Sequence, residues 1–103
     1  MIFVESPVFT ELVADLLSDD EYAEFQTWLM ANPKAGDVIQ GTGGLRKVRW
    51  SAGGKGKRGG VRVIYYHLDE SAQIRLLLIY RKGIKDDLSA KEKSVLRDIK
   101  ARW

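Results

Sequence analysis

The sequence predicts an α+β fold, in which an N-terminal strand and a helical hairpin precede a three-stranded antiparallel meander and a C-terminal helix. Three observations support this plan. Apolar residues recur at helical spacing before residue 33 and again after residue 89. Between residues 45 and 80 the pattern changes to alternation and short apolar runs, which are typical of strands. A length of 103 residues suits one compact domain, so we expect residues 1–103 to form a single domain.

The N-terminal part predicts one strand and two helices. The apolar run IFVES predicts the strand, and Ser6-Pro7 supplies an N-cap and a proline at the first helical position, so we expect a helix over residues 7–17. Ser18-Asp-Asp-Glu21 is a capping box that begins a second helix. Both helices carry an apolar stripe that we expect in the core, namely Phe9, Leu12, Val13, Leu16 and Leu17 on the first and Tyr22, Phe25, Trp28 and Leu29 on the second.

Three strands follow, and they are predicted over residues 45–50, 61–68 and 74–80. On the first strand, Leu45, Lys47 and Arg49 share one face, because alternate side chains of a strand point to the same side. On the second strand, Arg62 shares its face with Ile64. The third strand, IRLLLIY, is almost continuously apolar, which is typical of a strand covered on both faces.

A second capping box, Ser89-Ala-Lys-Glu92, predicts the start of the C-terminal helix. Its apolar stripe consists of Val95, Leu96, Ile99 and Trp103. We expect this stripe to pack on the sheet or on the neighbouring helices.

Composition excludes several kinds of site. The chain has no Cys and one His, so it has neither a disulfide framework nor a Cys/His zinc cluster, and any metal would depend on carboxylates alone. We expect no cofactor and no metal. The N-terminal stretch MIFVESPVF has no basic n-region and no apolar segment long enough to cross a membrane, which favours a cytoplasmic protein.

Basic residues are concentrated in one block of the chain. Residues 1–44 contain eight acidic residues and one basic residue, whereas residues 45–62 contain seven basic residues and no acidic one. The remaining residues, 63–103, contain nine basic and six acidic residues. A focused positive charge attracts polyanions, so the basic block indicates a nucleic-acid partner, although such a run can also simply solvate a surface.

The glycine-rich segment GTGGLRKVRWSAGGKGKRGGVR does not match the known nucleotide loops. In a Walker-type loop Ser or Thr follows Gly-Lys, but Arg58 follows Gly56-Lys57 here. The dinucleotide fingerprint requires a third glycine where Arg46 stands. The segment instead predicts two strands joined by a flexible basic loop, with side-chain cations and loop amides available to the phosphates of a polymer.

Three quoted stretches, in this order, carry a resemblance to a known family: NPKAGDVIQGTGGLRKVRW, GKGKRGGVRVIYYH and IYRKGIKDDLS. Over essentially its whole length the chain resembles toxins of the RelE superfamily, and specifically the HigB-like branch. The resemblance implies a RelE-like fold, with a mainly antiparallel sheet flanked by helices. It also implies an mRNA endonuclease of a type II toxin-antitoxin system, which cuts mRNA in the ribosomal A site and inhibits translation.

The implied reaction is attack of a ribose 2′-hydroxyl on the adjacent phosphate, which leaves a 2′,3′-cyclic phosphate and a free 5′-hydroxyl. The implied partners are the 70S ribosome, mRNA and a cognate antitoxin, commonly a HigA-like helix-turn-helix protein. Members of the family often work without histidine and use a cluster of cations instead. The resemblance implies no membrane partner, no cofactor and no metal.

The resemblance also assigns candidate catalytic residues. Lys47 and Arg49 match the two basic positions on the strand that enters the glycine-rich loop, and Arg62 in RVIY matches the arginine on the strand that leaves it. We expect Arg62 to clamp the phosphate and stabilise the transition state. Lys82 in YRKG occupies the basic position after the last meander strand and is expected to contact phosphate or serve as the acid, and Arg81 is an alternative for the same task.

A second set of basic residues is expected to contact RNA or the ribosome without taking part in chemistry. A glycine-rich loop does not hold side chains to catalytic precision, but its cations can still bind a nucleic-acid backbone. This set consists of Arg46, Lys55, Lys57, Arg58 and Arg81.

The general base stays open. The C-terminal tyrosine of some RelE-type members has no clear counterpart, because Leu88 stands near that place. Tyr80 is an alternative, but its apolar strand favours a core role. His67 lies at a strand end on the face opposite Arg62, which favours a structural role. Two other functions also stay open, namely a non-catalytic RNA- or ribosome-binding module and a degenerate toxin that acts as antitoxin partner and transcriptional co-regulator.

Overall fold

The computed structural model describes residues 1–51, 60–81, 83 and 89–102. Within these ranges the chain forms three helices and five strands in an α+β arrangement. Caps that are visible in the sequence begin all three helices: the side-chain oxygens of Ser6, Ser18 and Ser89 accept hydrogen bonds from backbone N–H groups three residues later. The elements are β1 Ile2–Glu5, α1 Pro7–Leu16, α2 Asp19–Ala31, β2 Asp37–Val38, β3 Arg46–Trp50, β4 Val61–Leu68, β5 Gln73–Arg81 and α3 Ala90–Arg102.

The strands form one sheet in the order β1-β5-β4-β3-β2. β3, β4 and β5 are the predicted antiparallel meander, and β1 pairs in parallel with β5. β5 is therefore an interior strand, as its apolar sequence predicts. The short strand β2, which pairs Asp37 with Lys47 and Val38 with Arg46, was not predicted. The predicted α+β architecture is confirmed.

The helices cover opposite faces of the sheet. α1 and α2 cover what we term the hairpin face, and the stripes predicted for them are buried or half-buried there. α3 covers the other face, termed the α3 face, where Leu96 packs against Leu45, Ile64 and Leu77. The prediction for the α3 stripe was partly wrong, because Val95 is 49% exposed. Residue 103, the last of that stripe, lies outside the described residues.

A β-bulge in β5 sets the register of the meander. Tyr65 pairs with Leu76, whereas the preceding residue Ile64 pairs with Leu78, so Leu77 is the extra residue. Its carbonyl accepts a hydrogen bond of 2.8 Å from the hydroxyl of Ser6, which is also the N-cap of α1. One buried side chain therefore links the start of α1 to the bulge.

Among the described residues, no helix is long and apolar enough to cross a membrane.

Candidate nucleic-acid interface

Three basic residues lie on the α3 face of β3 and β4, and we term Lys47, Arg49 and Arg62 the sheet cation cluster. Arg49 is the direct cross-strand partner of Arg62, and Lys47 is the partner of Ile64 one row further along the same face. Arg49 is exposed, and the other two residues are half-buried. The register of β3 and β4 therefore brings Lys47, Arg49 and Arg62 to one face of the sheet.

The pairing of Arg49 with Arg62 places two like charges opposite each other. Side chains at directly opposed positions of an antiparallel pair have Cβ atoms about 5 Å apart, and like charges there destabilise the sheet. Neither guanidinium forms an ion pair with another residue in the described ranges. Among the described residues nothing offsets the positive charge of the two arginines, and an anion between them would relieve their repulsion.

Tyr80 adjoins this pair on β5, where it is the cross-strand partner of Arg62. Its side chain is 8% exposed and belongs to the core cluster beneath α3, together with Ile64 and Leu96. The structure thus places Tyr80 in the core, next to the sheet cation cluster. An aromatic side chain packed in this way supports the position of Arg62 on the neighbouring strand.

Arg46 and Arg81 lie on the hairpin face instead. The Nη1 atom of Arg46 donates hydrogen bonds to the carbonyls of Gly36 and Lys34, at 2.8 and 3.3 Å, so this arginine secures the turn after α2. Arg81 is the cross-strand partner of Val61, whose side chain is buried in the hairpin-face core, and is itself exposed at the end of β5. The structure does not bring these two arginines to the sheet cation cluster.

Four of the predicted site residues lie outside the described part of the chain. They are Lys55, Lys57 and Arg58 of the segment between β3 and β4, and Lys82 after β5. Leu88, which stands near the expected place of a C-terminal tyrosine, also lies outside it.

His67 is on the hairpin face, as the cross-strand partner of Ile74. Its side chain is 8% exposed, and its Nδ1 atom lies 3.1 Å from Oδ1 of Asp69 in the turn after β4. The imidazole is thus held within the turn structure, on the sheet face opposite the cation cluster. The described residues also include no group of three or more acidic or histidine side chains placed to hold a metal ion.

Two tyrosines of the hairpin face have raised pKa values. Burial, and then a hydrogen bond to the Glu5 carboxylate, raise the pKa of Tyr22. Burial also raises the pKa of Tyr65, whose hydroxyl accepts from the backbone N–H of Gly36 and donates to the carbonyl of Pro33. Both hydroxyl groups lie on the face away from the cation cluster, where they connect structural elements.

Two basic residues of α3 were missed by the sequence interpretation. The Nη1 atom of Arg97 donates a hydrogen bond of 2.8 Å to the carbonyl of Gly41, and the Nζ atom of Lys100 lies 4.3 Å from the ring centroid of Tyr66. Both side chains thus reach towards β3 and β4 on the α3 face. Their spacing of three residues places them on one side of the helix, and this signal is visible in the sequence.

Comparison with known proteins identifies a similar fold. No protein-family model matches the chain. The crystal structure of the isolated E. coli RelE toxin is similar with a TM-score of 0.59 and 13% sequence identity, and the match covers 95% of this chain and 97% of that one. The chain therefore has a RelE-like fold, as its sequence motifs predict.

Proposed function

We propose that this chain is the toxin of a type II toxin-antitoxin system, and that it cuts mRNA in the ribosomal A site. The direct pairing of Arg49 with Arg62 on one sheet face carries the proposal. Two adjacent guanidinium groups without ion pairs in the described ranges are suited to a phosphodiester, because each offers a planar fork of donors to phosphate oxygens. The RelE-like fold supports this reading.

The site must perform three tasks in the proposed reaction. Attack of the 2′-oxygen on phosphorus requires removal of its proton, stabilisation of the negative charge on the phosphorane, and a proton for the departing 5′-oxygen. Arg62 holds the phosphate and, with Arg49, stabilises the phosphorane. Lys47, one row away on the same face, is proposed to take part in proton transfer, and Lys82 is proposed to protonate the leaving oxygen.

The HigB-like branch and its partners are part of the same proposal. The three stretches of sequence around the glycine-rich segment support this branch, and with it a helix-turn-helix antitoxin of the HigA type. The concentrated positive charge of residues 45–62 supports ribosomal RNA and mRNA as the surfaces on which the toxin acts. The toxin would act in the cytoplasm, where translating ribosomes are found.

The test is mapping of transcript 5′ ends after a short pulse of expression. Cells expressing the wild-type chain should show new cuts within translated codons. Arg62→Ala and Arg49→Gln should abolish them. Lys34→Gln is a control, because it removes one exposed positive charge that pairs with Asp69 and does not belong to the cluster. Blocking translation initiation on one reporter transcript should protect that transcript alone.

Each other outcome identifies a different function. Cuts at equal rate in naked RNA would eliminate the ribosome requirement. Ribosome binding by the purified chain without any cleavage would favour a non-catalytic RNA- or ribosome-binding module. Expression without growth arrest, with retained binding to the antitoxin, would favour a degenerate toxin that serves as a transcriptional co-regulator.

A further inference from the structure

A second group of cations lies on one side of α3. Lys93, Arg97 and Lys100 are spaced by four and then three residues, so they align along the helix. We term them the α3 basic stripe, and no acidic residue interrupts it. The two acidic residues of α3 lie off the stripe: Glu92 lines an apolar groove between α3 and the start of α1, and Asp98 falls on the side of Lys91, which lines the same groove.

Neutral groups hold the two stripe residues whose contacts are known. Arg97 donates to a backbone carbonyl, that of Gly41, and Lys100 lies over the ring of Tyr66. Neither forms an ion pair with any residue in the described part of the chain. Since a carbonyl and an aromatic ring orient a cation without cancelling its charge, the stripe is both positioned and positively charged.

Gly43 and Gly44, which precede β3, have no Cβ atoms at the point where the backbone approaches the side chains of Lys100 and Tyr66. A Cβ atom on Gly44 would lie 3.2 Å from Cε1 of Tyr66, and one on Gly43 would lie 3.7 Å from Nζ of Lys100. Both glycines have positive φ angles, 77° and 109° for Gly43 and Gly44. The GTGGL motif, which fits no nucleotide-binding loop, therefore forms a tight turn against the stripe.

The stripe continues the sheet cation cluster along the same face. Tyr66, beneath Lys100, lies four residues along β4 from Arg62, a distance of about 13 Å at the usual rise of a strand. Lys47 occupies the row between them on β3. Basic side chains therefore form a row beside α3. The row runs from Arg49 and Arg62, through Lys47, to Lys100 and Arg97 near the turn of residues 41–44.

We propose that the α3 basic stripe binds the backbone of the same single-stranded RNA whose phosphate lies between Arg49 and Arg62, and so positions that strand for cleavage. This inference rests on the proposed function, since it assigns a path to the substrate. Single-strand binding proteins track the backbone with a continuous positively charged groove, and the order of cations here matches such a track. The stripe residues position the RNA and do not touch the reacting atoms.

The test measures binding of a fluorescent 2′-O-methyl oligonucleotide, which lacks the attacking hydroxyl and therefore reports binding without cleavage. Each phosphate contact to a single strand contributes about 0.7 to the slope of log K against log salt. Arg97→Gln with Lys100→Gln should lower that slope by about 1.4, so that raising salt from about 50 to 200 mM weakens the wild type about sevenfold more than the variant.

Two further variants separate charge from structure. Lys91→Gln with Arg102→Gln removes the same charge from the opposite side of α3, where both residues line grooves beside α1, and should retain the wild-type slope. Arg97→Lys with Lys100→Arg alters the contacts but keeps both charges, and should also retain the slope. Thermal unfolding of each variant shows whether it is folded at the temperature of the assay.

Several results would overturn the inference. The first is an equal slope for the wild type and the stripe variant. The second is a slope lowered as much by the Lys91 and Arg102 substitutions as by the stripe substitutions. The third is no binding of the oligonucleotide by the wild type. Unchanged RNA binding with lost affinity for an acidic protein would assign the stripe to a protein partner. A lowered slope for the stripe variant of a chain that cuts no mRNA would refute the proposed function, while RNA binding by the stripe would stand.

Discussion

Replacing Ser6 with alanine removes one hydroxyl that serves two elements. Its Oγ accepts a 3.1 Å hydrogen bond from the backbone N–H of Phe9 and donates one of 2.8 Å to the carbonyl of Leu77. Ser6 is 5% exposed, so water does not replace these bonds freely in the variant. Ser18→Ala is the matched control, because Ser18 caps α2 in the same way but its cap is exposed.

We expect Ser6→Ala and Ser18→Ala to lower the free energy of unfolding by different amounts. Losing an N-cap costs about 1 kcal/mol, and this is the whole effect expected for Ser18→Ala. Ser6→Ala also leaves the buried carbonyl of Leu77 without its partner, which adds about 1 to 3 kcal/mol. We therefore expect Ser6→Ala to lower the free energy of unfolding by about 2 to 4 kcal/mol.

Urea unfolding measures this loss of stability, and amide hydrogen exchange shows which part of the chain is affected. The urea midpoint of Ser6→Ala should fall clearly below that of Ser18→Ala, with an unchanged slope. Exchange should also accelerate around Leu77, since the bulge loses its tie to α1. If Ser6→Ala costs no more than Ser18→Ala and exchange in β5 is unchanged, the bulge does not depend on Ser6.

Three other predictions concern the site and its surroundings. Arg49→Thr should raise the free energy of unfolding by about 0.2 to 1 kcal/mol in urea while lowering mRNA cleavage, because it removes the like-charge pair with Arg62. Above pH of about 10, stability should fall, because the unfolded chain releases tyrosine protons that burial retains in Tyr22 and Tyr65. Tyr65→Phe should lessen that fall in pH-dependent unfolding, because it removes one of the two tyrosines whose pKa burial raises. Gly44→Ala should destabilise the chain and lower its thermal midpoint, because φ is 109° there and Tyr66 lies within 3.2 Å of the new Cβ.

Elements specified by nearby residues could be predicted from the sequence, and those formed across long distances could not. The capping serines predicted where all three helices begin, to within about two residues. β2 has only two residues, and its pairing with β3 leaves no periodic pattern. The parallel pairing of β1 with β5, and the bulge at Leu77, depend on contacts about 70 residues apart in the chain, as the Ser6 hydrogen bond shows.

The candidate site also has features that the sequence could predict and features that depend on contacts between strands. Alternation was enough to place Lys47 with Arg49 on one strand face, because the side-chain period of a strand is fixed. That Arg49 lies directly opposite Arg62 depends on the register of β3 and β4, which the pattern of a single strand does not determine. Arg81 alternates with Tyr80, so its position on the hairpin face was predictable once β5 was taken to continue through it.

The residues that bury the hairpin face also fix where the cation cluster lies. Val48 and Val63 alternate with Arg49 and Arg62 and are buried beneath α1 and α2. A shift of one residue in either strand would expose these valines and turn an arginine into the core, at a cost far above that of the like-charge pair. The repulsion between the arginines therefore cannot relax by slippage of the strands, and a bound anion would relieve it with the sheet intact.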